Sequence, residues 1–206
     1  MSVFKGLILL TFIGHLALWH CDRIITYLDG GRFDFKAMGD NEWLSKLMGN
    51  TALRYPMRSI VLGAFGMTAM FPGYLALCDW MRQFSGVYAA LMCVGSIVCF
   101  LPGVAHHVFC GAVEWMYIRM GKTEEARKII VEFFKKTSST MIACFLGLLL
   151  FAVAFFIPVV TGVTSLPRWA CVFNTLPLFL ALAAFRIAGT GNLVGAIMFA
   201  GLFVLM

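Results

Sequence analysis

The chain of 206 residues is 61% hydrophobic and only 13% charged, with a net charge of +6. A soluble domain carries about 25% charged residues, so this composition excludes a surface that faces water all round and makes a lipid bilayer the natural solvent. Basic residues that flank spans are what membrane topology requires, so the positive balance is no signal for nucleic acid.

Six apolar blocks approach the roughly 20 residues that a spanning helix needs. The first covers 2–21 and is extendable through Asp22 to Leu28. It lacks the small-x-small cleavage site of a leader, so it is expected to be a mature helix. The polar stretch that follows is broken by Gly30-Gly31. Within it, Asp40 and Asn41 are placed to cap a short helix from Glu42 to Met48 that Gly49 stops. Trp43, Leu44, Leu47 and Met48 share one side of that helix, which suits either the membrane surface or packing on the bundle.

The second span covers 57–79 and is opened by Pro56. The third covers 86–118 and is interrupted at Pro102-Gly103. Thr123 is the expected N-cap of a charged helix that runs directly into the fourth span, 138–160, with Glu124/Lys128 and Glu132/Lys136 at i,i+4. The fifth span covers 168–187, and the sixth, 190–206, carries the helix-contact pair Gly191 and Gly195. Gly103 and Gly111 flank His107 and are expected to let a neighbouring backbone approach it. The fold expected is an all-α integral membrane bundle, a single transmembrane domain over 1–206.

Arg23, Arg32, Lys36, Lys46, Arg54 and Arg58 fall on the same side as the basic cluster at 119–136 and Arg186. Lys5, Arg82 and Arg168 fall on the other. The positive-inside rule puts the richer side in the cytoplasm, leaving both termini extracytoplasmic, in a multi-pass protein of the cell membrane, here a bacterial inner membrane. The seven cysteines form no CxxC and read as small apolar packing residues.

Ionisable groups inside spans are expensive and mark functional sites. His15 and Asp22 are seven residues apart, as are His107 and Glu114, so each histidine shares a helix face with its acid. Both pairs run toward the cytoplasmic side, with each histidine about 10 Å deeper than its acid. Cys110 joins the His107 face, Arg186 ends the fifth span and Asn192 begins the sixth. His20 and His106 point away from these faces, although His106 and Tyr27 remain secondary candidates. A histidine beside a carboxylate suits proton transfer. The leading expectation is a transporter or proton-coupled binding protein with a cytoplasm-facing pocket between spans one and three, binding a small molecule or lipid.

No cofactor is called for. The alternative is a metal-dependent hydrolase of a lipid-like substrate, with zinc held by His15, His107, Asp22 and Glu114. A third possibility is a structural protein without chemistry. No HExxH, GxSxG or phosphate loop is present.

The Cys21-Asp22-Arg23-Ile24-Ile25-Thr26-Tyr27 end of the first span resembles an aspartate-to-tyrosine pattern in an uncharacterised family of bacterial polytopic membrane proteins. Leu62-Gly63-Ala64-Phe65-Gly66 and Gly103-Val104-Ala105-His106-His107 are similar to that family's second and third helices. The resemblance covers residues 10–120, and the charged insert at 119–137 departs from it. It carries no established activity and implies that Asp22, Tyr27 and His107 are the positions to test first.

Overall fold

The computed structural model describes residues 2–206. It is all-α apart from one two-residue hairpin. The elements are α1 (Val3–Thr26), β1 (Tyr27–Leu28), β2 (Gly31–Arg32), α2 (Asn41–Met48), α3 (Arg54–Arg82), α4 (Gly86–Arg119), α5 (Glu124–Thr137), α6 (Ser139–Val160), α7 (Thr175–Ala183) and α8 (Thr190–Leu205). Helices α1, α3, α4 and the continuous α5–α6 rod are long and apolar enough to cross a membrane.

The helices stack in a chain of neighbours: α8 packs on α1, α1 on α3, α3 on α4, and α4 on α6. Small residues set these spacings. Gly14 of α1 faces the Gly66 carbonyl and Met70 of α3, and Gly95 of α4 faces Gly147 of α6. An ideal Cβ on Gly147 would stand 2.7 Å from the Gly95 carbonyl oxygen and would press on the α4 backbone at Cys99. Backbone has no rotamer with which to yield, so Gly147→Ala is expected to force α4 and α6 apart. The expected loss is about 1–3 kcal/mol, read as a lower unfolding temperature in detergent.

The expected caps at the polar end are present. The Asp40 carboxylate accepts from the N–H groups of Glu42 and Trp43, and Gly49 ends α2 with φ +45°. Thr123 caps α5, which joins α6 through Ser138 in helical conformation. Leu44, Leu47 and Met48 are buried in a second small core with Val113, Tyr117 and Ile130. Helix α2 therefore packs on the bundle.

The charge pairs on α5 differ in part from expectation. Glu124 pairs with Arg127 rather than Lys128, through bonds of 2.8 and 2.5 Å, while Glu132 pairs with Lys136. Arg127 also donates to the Met38 carbonyl at 2.8 Å, tying α5 to the 3₁₀ turn Phe35–Gly39. The Arg127 guanidinium holds the Glu124 carboxyl below its ordinary range. Because that value is lowered on folding, the contribution is present at neutral pH and fades as pH falls through the carboxylate range. Arg127→Ala is expected to speed amide exchange across 35–39 and 124–128 while leaving exchange in α1, α3 and α4 unchanged.

The fifth predicted span is not one helix. Residues 168–187 form a 3₁₀ turn, Arg168–Phe173, then the nine-residue α7, then an irregular stretch. Helix α6 ends at the Lys5 end of the bundle and α8 starts at the opposite end, where Arg186 lies. The chain between them must therefore travel the length of the molecule, and it does so as a broken segment. Pro167 and Pro177 lack the amide hydrogen of a regular ladder. Asn174 repairs part of the gap, capping Leu176 N–H at 2.8 Å and donating to the Ala152 carbonyl at 3.0 Å.

Candidate functional site

The site begins with helix faces. His15 and Asp22 lie on the side of α1 that packs against α3 and α8, and His107 lies on the side of α4 that meets α3. Each ring is seated against a glycine of a neighbouring helix, because no larger residue leaves room. Gly195 of α8 backs His15, and Gly63 of α3 backs His107; a Cβ at either position would fall within the ring. The close approaches expected at Gly103 and Gly111 are made to Met67 and Cys144, and to Ile60.

Hydrogen bonds and one longer contact between ionisable groups connect these residues in order. Tyr74 Oη lies 3.1 Å from His15 Nε2. His15 Nδ1 lies 3.3 Å from Asn192 Oδ1, and Asn192 Nδ2 donates to Asp22 Oδ2 at 2.7 Å. Asp22 Oδ1 lies 3.6 Å from His107 Nδ1. His107 Nε2 lies 3.0 Å from the Ser59 carbonyl and 3.5 Å from Ser59 Oγ, and Ser59 Oγ donates to the Cys21 carbonyl at 3.1 Å.

The proton positions follow from donor and acceptor capacity. Ser59 Oγ spends its one hydrogen on Cys21, so both oxygens near His107 Nε2 are acceptors and Nε2 carries the hydrogen. Nδ1 then faces a carboxylate oxygen. At 3.6 Å the two atoms stand just beyond hydrogen-bond reach, and a proton on either one would draw them together. On the other side, Asn192 uses its Nδ2 on Asp22 and offers Oδ1 to His15. His15 therefore carries hydrogen on Nδ1 and accepts from Tyr74 at Nε2. The amide of Asn192 is a poor proton carrier, so His15 and Tyr74 support Asp22, and the two ionisable groups in direct apposition are Asp22 and His107.

Tyr74, His15, Asn192, Asp22 and His107 line a chamber of about 400 Å³ whose other walls include Met67, Met70, Phe100 and Phe145. His15 is 3% exposed. Gly189, at φ +69°, closes the chamber beside Asp22, where a Cβ would stand 2.8 Å from Oδ2.

The structure brings together His15, Asp22, His107 and Asn192, although the two histidines do not touch: Asn192 and Asp22 stand between them. Glu114 lies apart. It is 5% exposed and borders a separate cavity with Arg186 and Cys110. Arg186 sits in the exposed turn before α8 with φ +51° and pairs with neither acid. His106 contacts Cys110 Sγ at 3.4 Å and Thr140 Oγ1 at 3.5 Å. Tyr27 is half exposed in the hairpin, stacked near Arg23. Among the described residues no three His, Cys, Asp or Glu side chains converge as a metal-holding group.

Tyr74 and Ser59 were not legible as site residues. Tyr74 is one aromatic in an apolar run. Ser59 and Gly63, one turn apart, form a small-residue pair of the kind that marks a close helix contact, and that was the only available signal.

No curated protein and no solved structure matches the chain. A family model described as a family of unknown function matches residues 4–206, which extends the expected resemblance from residues 10–120 to nearly the whole chain and takes in the charged insert. The chain belongs to this family of unknown function, DUF6796.

Proposed function

We propose that this is an integral membrane protein that binds a small amphipathic molecule beside a proton shared by Asp22 and His107, and couples that binding or its passage to protonation. Six crossings fit the path of the chain. Four are the long helices, the fifth is the broken segment after α6, and the sixth is α8. Irregular backbone at membrane depth is tolerated where protein covers it or where it lines a cavity, and Asn174 and the chamber meet that condition. With six crossings the basic-residue asymmetry places both termini outside the cytoplasm.

The observation that carries the reading is the donor order along Tyr74, His15, Asn192, Asp22, His107 and Ser59, which leaves one proton with two alternative homes. A ligand that binds the protonated pair more tightly than the deprotonated pair takes up a proton on binding, and one with the opposite preference releases it. The test is proton flux. Liposomes of phosphatidylethanolamine and phosphatidylglycerol with trapped pyranine receive an external acid step. Faster, protein-dependent acidification supports the reading, and acidification equal to that of empty liposomes rejects it.

A hydrolase metal shared by the histidines has little support, since Asn192 occupies the place between His15 and Asp22. A structural network without chemistry has a specific observation in its favour: each polar side chain from Tyr74 through His15, Asn192, Asp22 and His107 to Ser59 finds a partner within the protein. Flux equal to that of empty liposomes would select it.

A further inference from the structure

The strongest unexplained group is Glu114. It is 95% buried, and its Oε2 has no hydrogen-bond partner. A buried carboxylate oxygen without a donor is strongly unfavourable, and native structures rarely keep one without a purpose. Glu114 borders a vestibule of about 680 Å³ at the Arg186 end of the bundle. Arg32 and Arg186 border it too, and among the described residues neither arginine makes an ion pair.

The vestibule is not isolated. It shares Ile25, Cys110 and Gly189 with the His/Asp chamber. The chamber in turn shares Phe145, Leu148 and Phe179 with a groove of about 160 Å³ between α6 and α7. That groove is apolar except for Thr175, and its rim residues Phe145 and Leu149 are exposed on the flank of the bundle. Three spaces that adjoin through shared wall residues thus change from charged, to mixed, to hydrocarbon-like.

We propose that this path holds a phosphoethanolamine lipid, its ammonium on Glu114, its phosphate on Arg32 and Arg186, and an acyl chain in the α6–α7 groove. The orphan oxygen needs an N–H donor. Two exposed guanidinium groups that make no ion pair are available to an oxyanion, which they bind in fork geometry, with Asp34, besides Glu114, the one other charged group on that wall. One cavity wall bearing both signs fits a zwitterion, and the groove requires that the zwitterion carry a hydrocarbon tail. A quaternary ammonium has no N–H to give Oε2, so choline lipids satisfy only part of the site. The inference names the ligand class for the chamber and rests on the reading of that chamber as a binding site.

Native mass spectrometry of the delipidated full chain in detergent tests it. The probes are dioleoyl phosphatidylethanolamine, phosphatidylcholine and phosphatidylglycerol, and glycerophosphoethanolamine, which lacks chains. The ethanolamine lipid is expected to bind about tenfold more tightly than the other two lipids, the effect of one charge-assisted hydrogen bond. The chainless head group should show no retained adduct. Glu114→Gln should erase the preference over choline, and Arg186→Ala should weaken all three phospholipids. Equal binding of ethanolamine and choline lipids by the wild-type protein, which depends on no variant folding, would overturn the proposal. So would a preference that survives Glu114→Gln, or binding of the chainless head group as tight as that of the lipid. Lipid selectivity with no proton flux would strike the proton coupling alone, whereas flux without selectivity would strike the head-group assignment alone.

Discussion

Asp22→Asn is expected to abolish most of the protein-dependent proton flux while leaving the bundle folded. The substitution preserves shape. Its Oδ1 still accepts from Asn192 Nδ2, the bond that spans 2.7 Å in the native protein. Its amide nitrogen donates to His107 Nδ1, while Nε2–H remains on the Ser59 carbonyl. Every donor keeps an acceptor, so stability should change by no more than about 1 kcal/mol. The proton's second home is gone, because an amide does not ionise and His107 is held in one neutral tautomer. Loss of a positioned acid or base typically lowers rates by about 100-fold or more, and the pyranine signal should fall accordingly. A variant that melts like the wild type and conducts like the wild type would remove Asp22 from the mechanism. His15→Phe offers a contrast. It leaves Asp22 and His107 in place but deletes the support that reaches Asp22 through Asn192, so flux should fall less than in Asp22→Asn.

Gly63→Ala should disturb stability and the site together. Its Cβ would lie within the His107 imidazole, which is 8% exposed and hemmed in by α3. Either the ring leaves its seat or α3 and α4 separate. Overpacking of this kind costs about 1–3 kcal/mol, and a displaced ring gives up the Ser59 carbonyl and the Asp22 contact together, so flux should fall with stability. The two effects separate in a double-mutant cycle. His107→Ala alone leaves a void, and Gly63→Ala partly fills it. The double variant should therefore be more stable than the sum of the single losses, by about 0.5–3 kcal/mol of coupling for residues in contact. Thermal melts in detergent that add without coupling would show that Gly63 and His107 do not share this space.

Much of this architecture can be read directly from the chain. Long apolar runs place α1, α3, α4 and α6, because hydrocarbon-compatible helices need uninterrupted apolar length. Asp40, Gly49 and Thr123 end or begin helices through bonds to their nearest neighbours, so their roles follow from a few residues of context. The seven-residue spacing puts His15 with Asp22, and His107 with Glu114, on common faces. Periodicity stops at the face. It does not say which neighbour that face meets, and here the second pairing dissolves: His107 turns to Asp22 of another helix, while Glu114, two turns on, borders a different cavity. The fifth apolar block misleads for a related reason. Composition records only that the segment is apolar, while Pro167, Pro177 and the packing of Asn174 on Ala152 decide that it folds as a 3₁₀ turn and a short helix.

The sequence by itself therefore determined the long apolar helices, their caps and the identity of the buried acids and bases, all of which depend on local composition and on contacts within a few residues. Only the tertiary structure decided that Asn192 bridges His15 to Asp22, that Tyr74 and Ser59 close the two ends, and that Gly195 and Gly63 make room for the two rings. Those relations join residues as many as 177 positions apart, and they are fixed by how closely helix surfaces approach, which no periodicity along one helix encodes.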